Sequence, residues 1–159
     1  MPLQSLYAKY GQAAHVAQKL ETVLASWLLV PELAARKTLT PELVESTLRL
    51  LREGDFDALQ AKLPAAFRDV DEMTWTSLRK VVTMRNDLLR GFFVTNAARL
   101  EHEEDAFELA GELSKHWQAL EVALAYNTER FEQSAREHDI SPAEFRGYLQ
   151  ELRENSVPT

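Results

Sequence analysis

Apolar residues recur at alternating steps of three and four near the start of the chain, over residues 3–28. This spacing places them on one side of an α-helix, and a seam of this length is typical of a helical bundle or a coiled coil. The seam consists of Leu3, Leu6, Tyr10, Ala13, Ala17, Leu20, Leu24 and Trp27. Because the residue before a proline is disfavoured in helical geometry, Pro31 predicts the end of this helix.

Capping residues mark the next helices. Thr40-Pro41-Glu42 combines a hydroxyl cap, a proline at the first helical position and an acid in the first turn, so it predicts a helix start. Gly54 predicts the end of that helix. Asp55 can cap a short helix that reaches Leu63, before Pro64.

The second half of the chain repeats these signals. A fourth main helix is predicted from Asp69–Asp71 to about Gly91, and residues 91–101 fit either a loop or an early helix start. A second long seam follows, in Ala106, Ala110, Leu113, Trp117, Leu120 and Leu124, with Phe107 and Phe131 beside it. Residues 141–144 then form a capping box that opens a last helix.

The composition agrees with an all-α protein. The chain has 159 residues, 45% hydrophobic and 27% charged, and several of its five glycines and six prolines fall at predicted helix ends. We therefore predict an antiparallel bundle of four to five helices with short additional helices. It is expected to form one domain over residues 1–154, with a frayed tail at 155–159.

Several function classes lack their signals. No window is apolar enough to cross a membrane, no signal peptide is apparent, and there is no cysteine, which together favour a cytoplasmic protein. Glycine-rich nucleotide loops, cysteine zinc spacings and Gly-x-Ser-x-Gly are also missing, so no cofactor and no metal are predicted. His102 lies among acids over residues 101–105, but this spacing supplies few convergent ligands and favours a solvated helix start.

Charge is distributed unevenly along the chain. Residues 79–95 carry four Lys/Arg against one Asp/Glu, whereas residues 96–159 carry 6 against 14 and residues 1–78 carry 8 against 10. With a net charge of −7, the chain is not a general nucleic-acid binder, because such binding depends on many phosphate contacts. A local anion site in the basic segment remains open, and the acidic carboxy-terminal part suits a basic protein partner.

Arg85 is the most informative residue of the basic segment. It falls in the buried stripe of the predicted fourth helix, formed by Leu78, Val81/Val82, Leu88/Leu89 and Phe92. A guanidinium cannot be neutralised, and burying it unpaired costs several kcal/mol. Arg85 therefore either meets a carboxylate or faces a cleft that an anion can enter.

The run from Met84 to Phe93, M-R-N-D-L-L-R-G-F-F, resembles the motif of HEPN domains, in particular of small bacterial HEPN-like proteins. That motif reads Arg-Asn, three residues, then His-Gly-Phe-Phe. Residue-level support is confined to Arg85, Asn86, Leu89, Gly91, Phe92 and Phe93, whereas the helical pattern extends over most of residues 5–135.

The resemblance implies a helical bundle that dimerises so that two motifs face each other across a cleft. In active members the arginine holds an RNA phosphate and the histidine assists proton transfer at the ribose 2′-hydroxyl, without metal. Arg85 and Asn86 match the family, whereas Arg90 stands where the histidine is expected. Since arginine stays charged and cannot act as a base, binding could persist where cleavage is lost.

Three functions follow from these observations. The first is a non-catalytic homodimer that binds RNA or a nucleotide through Arg85, Asn86 and Arg90. The second is an active ribonuclease of the toxin or phage-defence kind, with Arg85 as its candidate catalytic residue. The third is an immunity or antitoxin-like module that uses the acidic carboxy-terminal surface. A purely structural alternative pairs Arg85 with an internal acid and Arg90 with Asp87.

Overall fold

The structure, a computed structural model, describes residues 2–68 and 70–156. No strand occurs in these residues, and the all-α bundle prediction is confirmed. The helices are α1 (Pro2–Arg36), α2 (Pro41–Glu53), α3 (Phe56–Lys62), α4 (Pro64–Phe67), α5 (Glu72–Asn86), α6 (Phe92–Thr95), α7 (Glu103–Glu137) and α8 (Pro142–Ser156). A π-helical turn (Asp87–Gly91) joins α5 to α6, and a 3-10 turn (Arg99–Glu101) precedes α7.

The two 35-residue helices, α1 and α7, pack side by side and point in the same direction. Lys9 donates a hydrogen bond to Ser114 at one end of this pair, and the Arg130 guanidinium lies over the Trp27 ring at the other. Helices α2, α5 and α8 run the opposite way. Along α5 and the π-helical turn that continues it, for example, Arg85 lies beside Ala17, whereas Leu89 lies beside Tyr10. All five helices bury apolar faces in one contiguous core.

The predicted helix starts are confirmed by their caps. The Thr40 hydroxyl accepts a hydrogen bond from the Leu43 N–H, the Asp55 carboxylate from the Ala58 N–H, and the Ser141 hydroxyl from the Glu144 N–H. Gly54 ends α2 in the left-handed conformation, with a φ of 69°. Each of these signals operates within a few residues, which is why the sequence alone reveals it.

The predicted end of α1 at Pro31 is wrong, because the helix continues to Arg36. A proline inside a helix removes one backbone hydrogen bond and is costly. Tertiary contacts hold the last turns in place: Leu28, Leu29 and Val30 are buried, and Glu32 accepts hydrogen bonds from Arg36 and from the backbone N–H groups of residues 65 and 66 at the start of α4.

Two further boundaries and the burial of the second seam differ from expectation. The chain does not leave helical geometry at Gly91, whose φ of −109° is right-handed, and it continues through α6 to Thr95. In the second seam, Leu109 and Ala123 are buried, whereas Trp117 is 37% exposed and Phe107 76% exposed. Helix α8 extends two residues into the predicted tail, and residues 157–159 lie outside the described part of the chain. The single-domain assignment stays a prediction.

Candidate functional site

Arg85 lies in the buried stripe of α5, as the periodicity predicts, and is only 5% exposed. Its Nε donates to the Ala17 carbonyl at 3.1 Å, and Nη1 donates to Asn86 Oδ1 at 2.6 Å. Its Nη2 forms a salt bridge with Glu21 Oε2. Both sequence-based alternatives for Arg85 therefore apply in part, because it meets a carboxylate and also borders a cleft.

Glu21 links two arginines across three helices. While one of its oxygens binds Arg85 of α5, the other accepts from Nε of Arg52 on α2 at 2.9 Å and from its Nη2 at 2.8 Å. Glu21 is 6% exposed, whereas the Arg52 side chain is 46% exposed. One carboxylate thus neutralises only half of the charge of two guanidinium groups, and Arg52 extends to the surface.

The surroundings of Arg85 affect its proton affinity. Burial lowers the pKa of its guanidinium from the usual value, and the neighbouring Glu21 carboxylate partly offsets this effect. The positive charges of Arg52 and Arg90 lower the pKa further. An arginine remains protonated at physiological pH despite such a shift, so Arg85 is a permanent charge and cannot act as a general base.

Asn86, predicted to bind a ligand, holds Arg85 in place. Its side-chain oxygen accepts from Arg85, and its Nδ2 donates to the Leu51 carbonyl of α2 at 3.2 Å. A Cβ added at Gly54 would lie 3.7 Å from that Nδ2, so the amide also lies close to the end of α2. Both polar ends of Asn86 are thus occupied within the protein.

Arg90 lies in the π-helical turn that follows α5, and it borders a different cleft from the one that Arg85 borders. The Tyr10 hydroxyl donates to the Leu89 carbonyl of this turn at 3.3 Å. Arg90 is exposed and borders a cleft with Asn86 and Asp87, separate from the one that Arg85 reaches. It forms no ion pair with Asp87 among the described residues.

The cleft that Arg85 reaches has a volume of about 580 Å³ and lies between α1, α2, α5 and α8. Basic side chains dominate its walls, with Glu21 as the acid among them. The lining residues are His15, Gln18, Lys19, Glu21, Thr22, Arg52, Arg85, Leu89 and Arg153. We call this the cationic cleft.

Sequence reasoning missed Glu21, Lys19 and Arg52 as members of this site. A signal was present, because Glu21 directly follows Leu20 of the predicted seam of α1, and Arg52 directly follows Leu51, which is buried in α2. An acid at the edge of one stripe and two arginines in others are candidates for mutual pairing. His15 of α1 is exposed and also lines the cationic cleft.

The described residues offer neither a metal site nor a membrane-spanning helix. His102 precedes α7 and is exposed, with acids in the first turn of that helix, as predicted for a solvated helix start. Among the described residues, no group of three or more His, Asp or Glu side chains could hold a metal ion. No described helix is long and apolar enough to cross a membrane.

Comparisons of the chain with protein-family models, with curated proteins and with solved structures found no match. The HEPN resemblance therefore stays a prediction that depends on the motif residues themselves.

Proposed function

We propose that this chain is a HEPN-like protein that binds RNA through its phosphate groups in the cationic cleft and does not cleave it. The observation that carries the proposal is the convergence of Lys19, Arg52 and Arg85 on one cleft, with Glu21 as their acidic neighbour. These four side chains sum to a charge of +2, in a protein whose net charge is −7.

The three cations would contribute differently. Arg85 is held by Glu21, Ala17 and Asn86, so it contributes a fixed positive charge to the cleft rather than a free hydrogen-bond donor. Arg52 is bound to Glu21 on one side only and is half-exposed, which leaves part of its guanidinium for a phosphate oxygen. Lys19 is exposed and makes no ion pair within the described residues. Lys19 and Arg52 are therefore the expected phosphate contacts.

The absence of cleavage follows from Arg90. Hydrolysis of RNA through its 2′-hydroxyl needs a group that accepts and returns a proton, and the position where the HEPN motif has histidine holds an arginine. Arg90 also lines a neighbouring cleft instead of the cationic cleft, so it supports a second anion contact on that surface rather than chemistry.

The test is binding of a short, labelled single-stranded RNA, measured by fluorescence anisotropy. Lys19→Gln and Arg52→Gln are each expected to weaken binding about three- to tenfold, the effect of losing one phosphate contact. Lys115→Gln is the matched control, because this lysine is exposed on α7 outside the cleft. Equal affinities of Lys19→Gln and Lys115→Gln would exclude the cleft as the binding site.

One observation favours a second function, metal-independent cleavage of RNA. His15 lines the same cleft as Arg85 although it lies outside the motif, and a histidine there could serve as the proton acceptor that Arg90 cannot be. In that case purified protein fragments RNA in the presence of a chelator, and His15→Gln abolishes fragmentation while RNA binding persists. Intact RNA after incubation with the unaltered protein excludes this function.

The homodimer that the HEPN resemblance implies, and a basic partner for the acidic carboxy-terminal surface, stay predictions from the sequence. Tyr7 and Phe93 stack at 5.6 Å beside the π-helical turn, and Val94 there is 78% exposed. This apolar surface near the motif supports the dimer more than the basic partner.

A further inference from the structure

A second cavity, of about 570 Å³, lies between α1, α2 and α8. Its floor is aliphatic, formed by Ala25, Val44, Leu48 and Leu149 of the buried core, and the rest of its lining is polar or charged and includes Glu45, Arg146, Arg153 and Glu154. Clefts of this size that combine an apolar floor with a few polar groups are typical of small-molecule sites. We call it the aliphatic cavity.

The cavity persists because α8 is anchored to one side of it. Tyr148 contacts the backbone of Leu39, accepting from its N–H at 3.0 Å and donating to its carbonyl at 3.2 Å, and Phe145 packs on Phe131 with ring centroids 5.6 Å apart. On the other side, α1 presents only the small residues Thr22, Ala25 and Ser26.

The aliphatic cavity adjoins the cationic cleft. Thr22 and Arg153 line both, so one ligand can extend from the basic walls of the cleft onto the apolar floor. Within the part of the chain that the structure describes, no aromatic side chain lines the cavity, and without one a nucleobase has no stacking partner. The chemistry of the floor therefore suits a flexible hydrocarbon chain.

We infer that the aliphatic cavity binds the chain of an amphipathic anion, an aliphatic monophosphate ester, whose head group lies in the cationic cleft. The inference rests on the proposed function for the head group, because that cleft supplies the phosphate-binding charges. It adds a class of ligand that RNA binding does not require. Thr22 lines both the cleft and the cavity, so it marks the boundary between the site of the head group and the site of the hydrocarbon chain.

The experiment measures binding of octyl phosphate, ethyl phosphate and 1-octanol by calorimetry. Octyl phosphate is expected to bind at least about tenfold more tightly than ethyl phosphate, because its additional methylene groups leave water. Gln150→Trp, which fills the mouth of the cavity, should remove this difference and leave ethyl phosphate binding unchanged. Gln133→Trp is the matched control, since both glutamines are exposed and donate to a glutamate four residues later.

The other outcomes separate the two proposals. Equal affinities for octyl and ethyl phosphate would overturn the aliphatic cavity as a site and leave the cationic cleft intact. Binding of 1-octanol without binding of either phosphate would overturn both the amphipathic ligand and the proposed function. If Gln133→Trp weakened octyl phosphate binding as much as Gln150→Trp does, the hydrocarbon chain of the ligand would not lie in the aliphatic cavity. Thermal melting checks that each variant folds.

Discussion

At the scale of single residues, Arg85 shows how far a sequence pattern predicts an environment. Helical periodicity placed its side chain inside the bundle, and the cost of an unpaired charge predicted that something would satisfy it. Its partner was not predictable in the same way, because Glu21 lies 64 residues away and the pairing depends on how α1 packs against α5. Local patterns define which faces are buried, but not which faces meet.

Loss of Arg85 should destabilise the fold. Breaking a buried ion pair costs about 3–5 kcal/mol, and we expect the lower end for Arg85→Ala because Arg52 still faces Glu21. Arg52→Ala should cost only about 0–1 kcal/mol, since its side chain is 46% exposed. Urea denaturation measures both values. Equal losses of stability would mean that burial does not distinguish the two arginines. Because Arg85→Ala is expected to destabilise the fold, it is a poor reporter of ligand binding.

Asp71 should make part of the stability depend on pH. Its carboxylate caps α5 and accepts a hydrogen bond from the Thr74 N–H at 2.7 Å, which, with a second contribution from the Thr74 side chain, lowers the pKa of Asp71. The unfolded chain then binds the proton more readily, so this contribution is complete above the unfolded pKa and is lost as pH falls through the folded pKa.

Asp71→Asn keeps a capping side chain but removes the titration. The unaltered protein should therefore be the more stable of the two at neutral pH, and the difference should shrink as the pH falls below about 4, the usual range of an aspartate. Urea denaturation across this range measures the difference, and a difference that does not vary with pH would contradict the assignment.

At the scale of elements, the helices whose ends depend on caps were predictable, whereas those whose ends depend on tertiary contacts were not. α2 and α3 begin where their caps predict. α1 passes through Pro31 because burial of neighbouring residues and the hydrogen bonds of Glu32 outweigh a local preference. Likewise, the π-helical turn after Asn86 leaves no mark in hydrophobic spacing.

Replacing Pro31 tests this explanation. Pro31→Ala restores an N–H that can bond the Trp27 carbonyl, so it should raise the free energy of unfolding by about 1–3 kcal/mol. Pro41→Ala is the control, because Pro41 occupies the first turn of α2, where no such hydrogen bond is lost. Thermal and urea denaturation compare the two variants, and a destabilised Pro31→Ala would show that ring packing outweighs the missing hydrogen bond.

At the scale of the whole molecule, a positive cleft in an acidic protein makes binding sensitive to salt. Each phosphate contact with single-stranded nucleic acid contributes about 0.7 to the slope of log affinity against log salt concentration. Contacts by Lys19 and Arg52 thus predict a slope of about −1.4, reduced to about −0.7 in Lys19→Gln. A salt titration of the anisotropy measurement gives these slopes, and a steep slope that Lys19→Gln leaves unchanged would indicate another surface.

The carboxylate between Arg52 and Arg85 has a consequence for selectivity. Because Glu21 is a resident anion, singly charged solutes such as chloride gain little by approaching two guanidinium groups that already share a counter-ion. A dianionic or polymeric competitor gains more, since it can engage Lys19 and the outer edge of Arg52 together while Glu21 keeps its place. Discrimination by charge density is thereby built into the cleft itself.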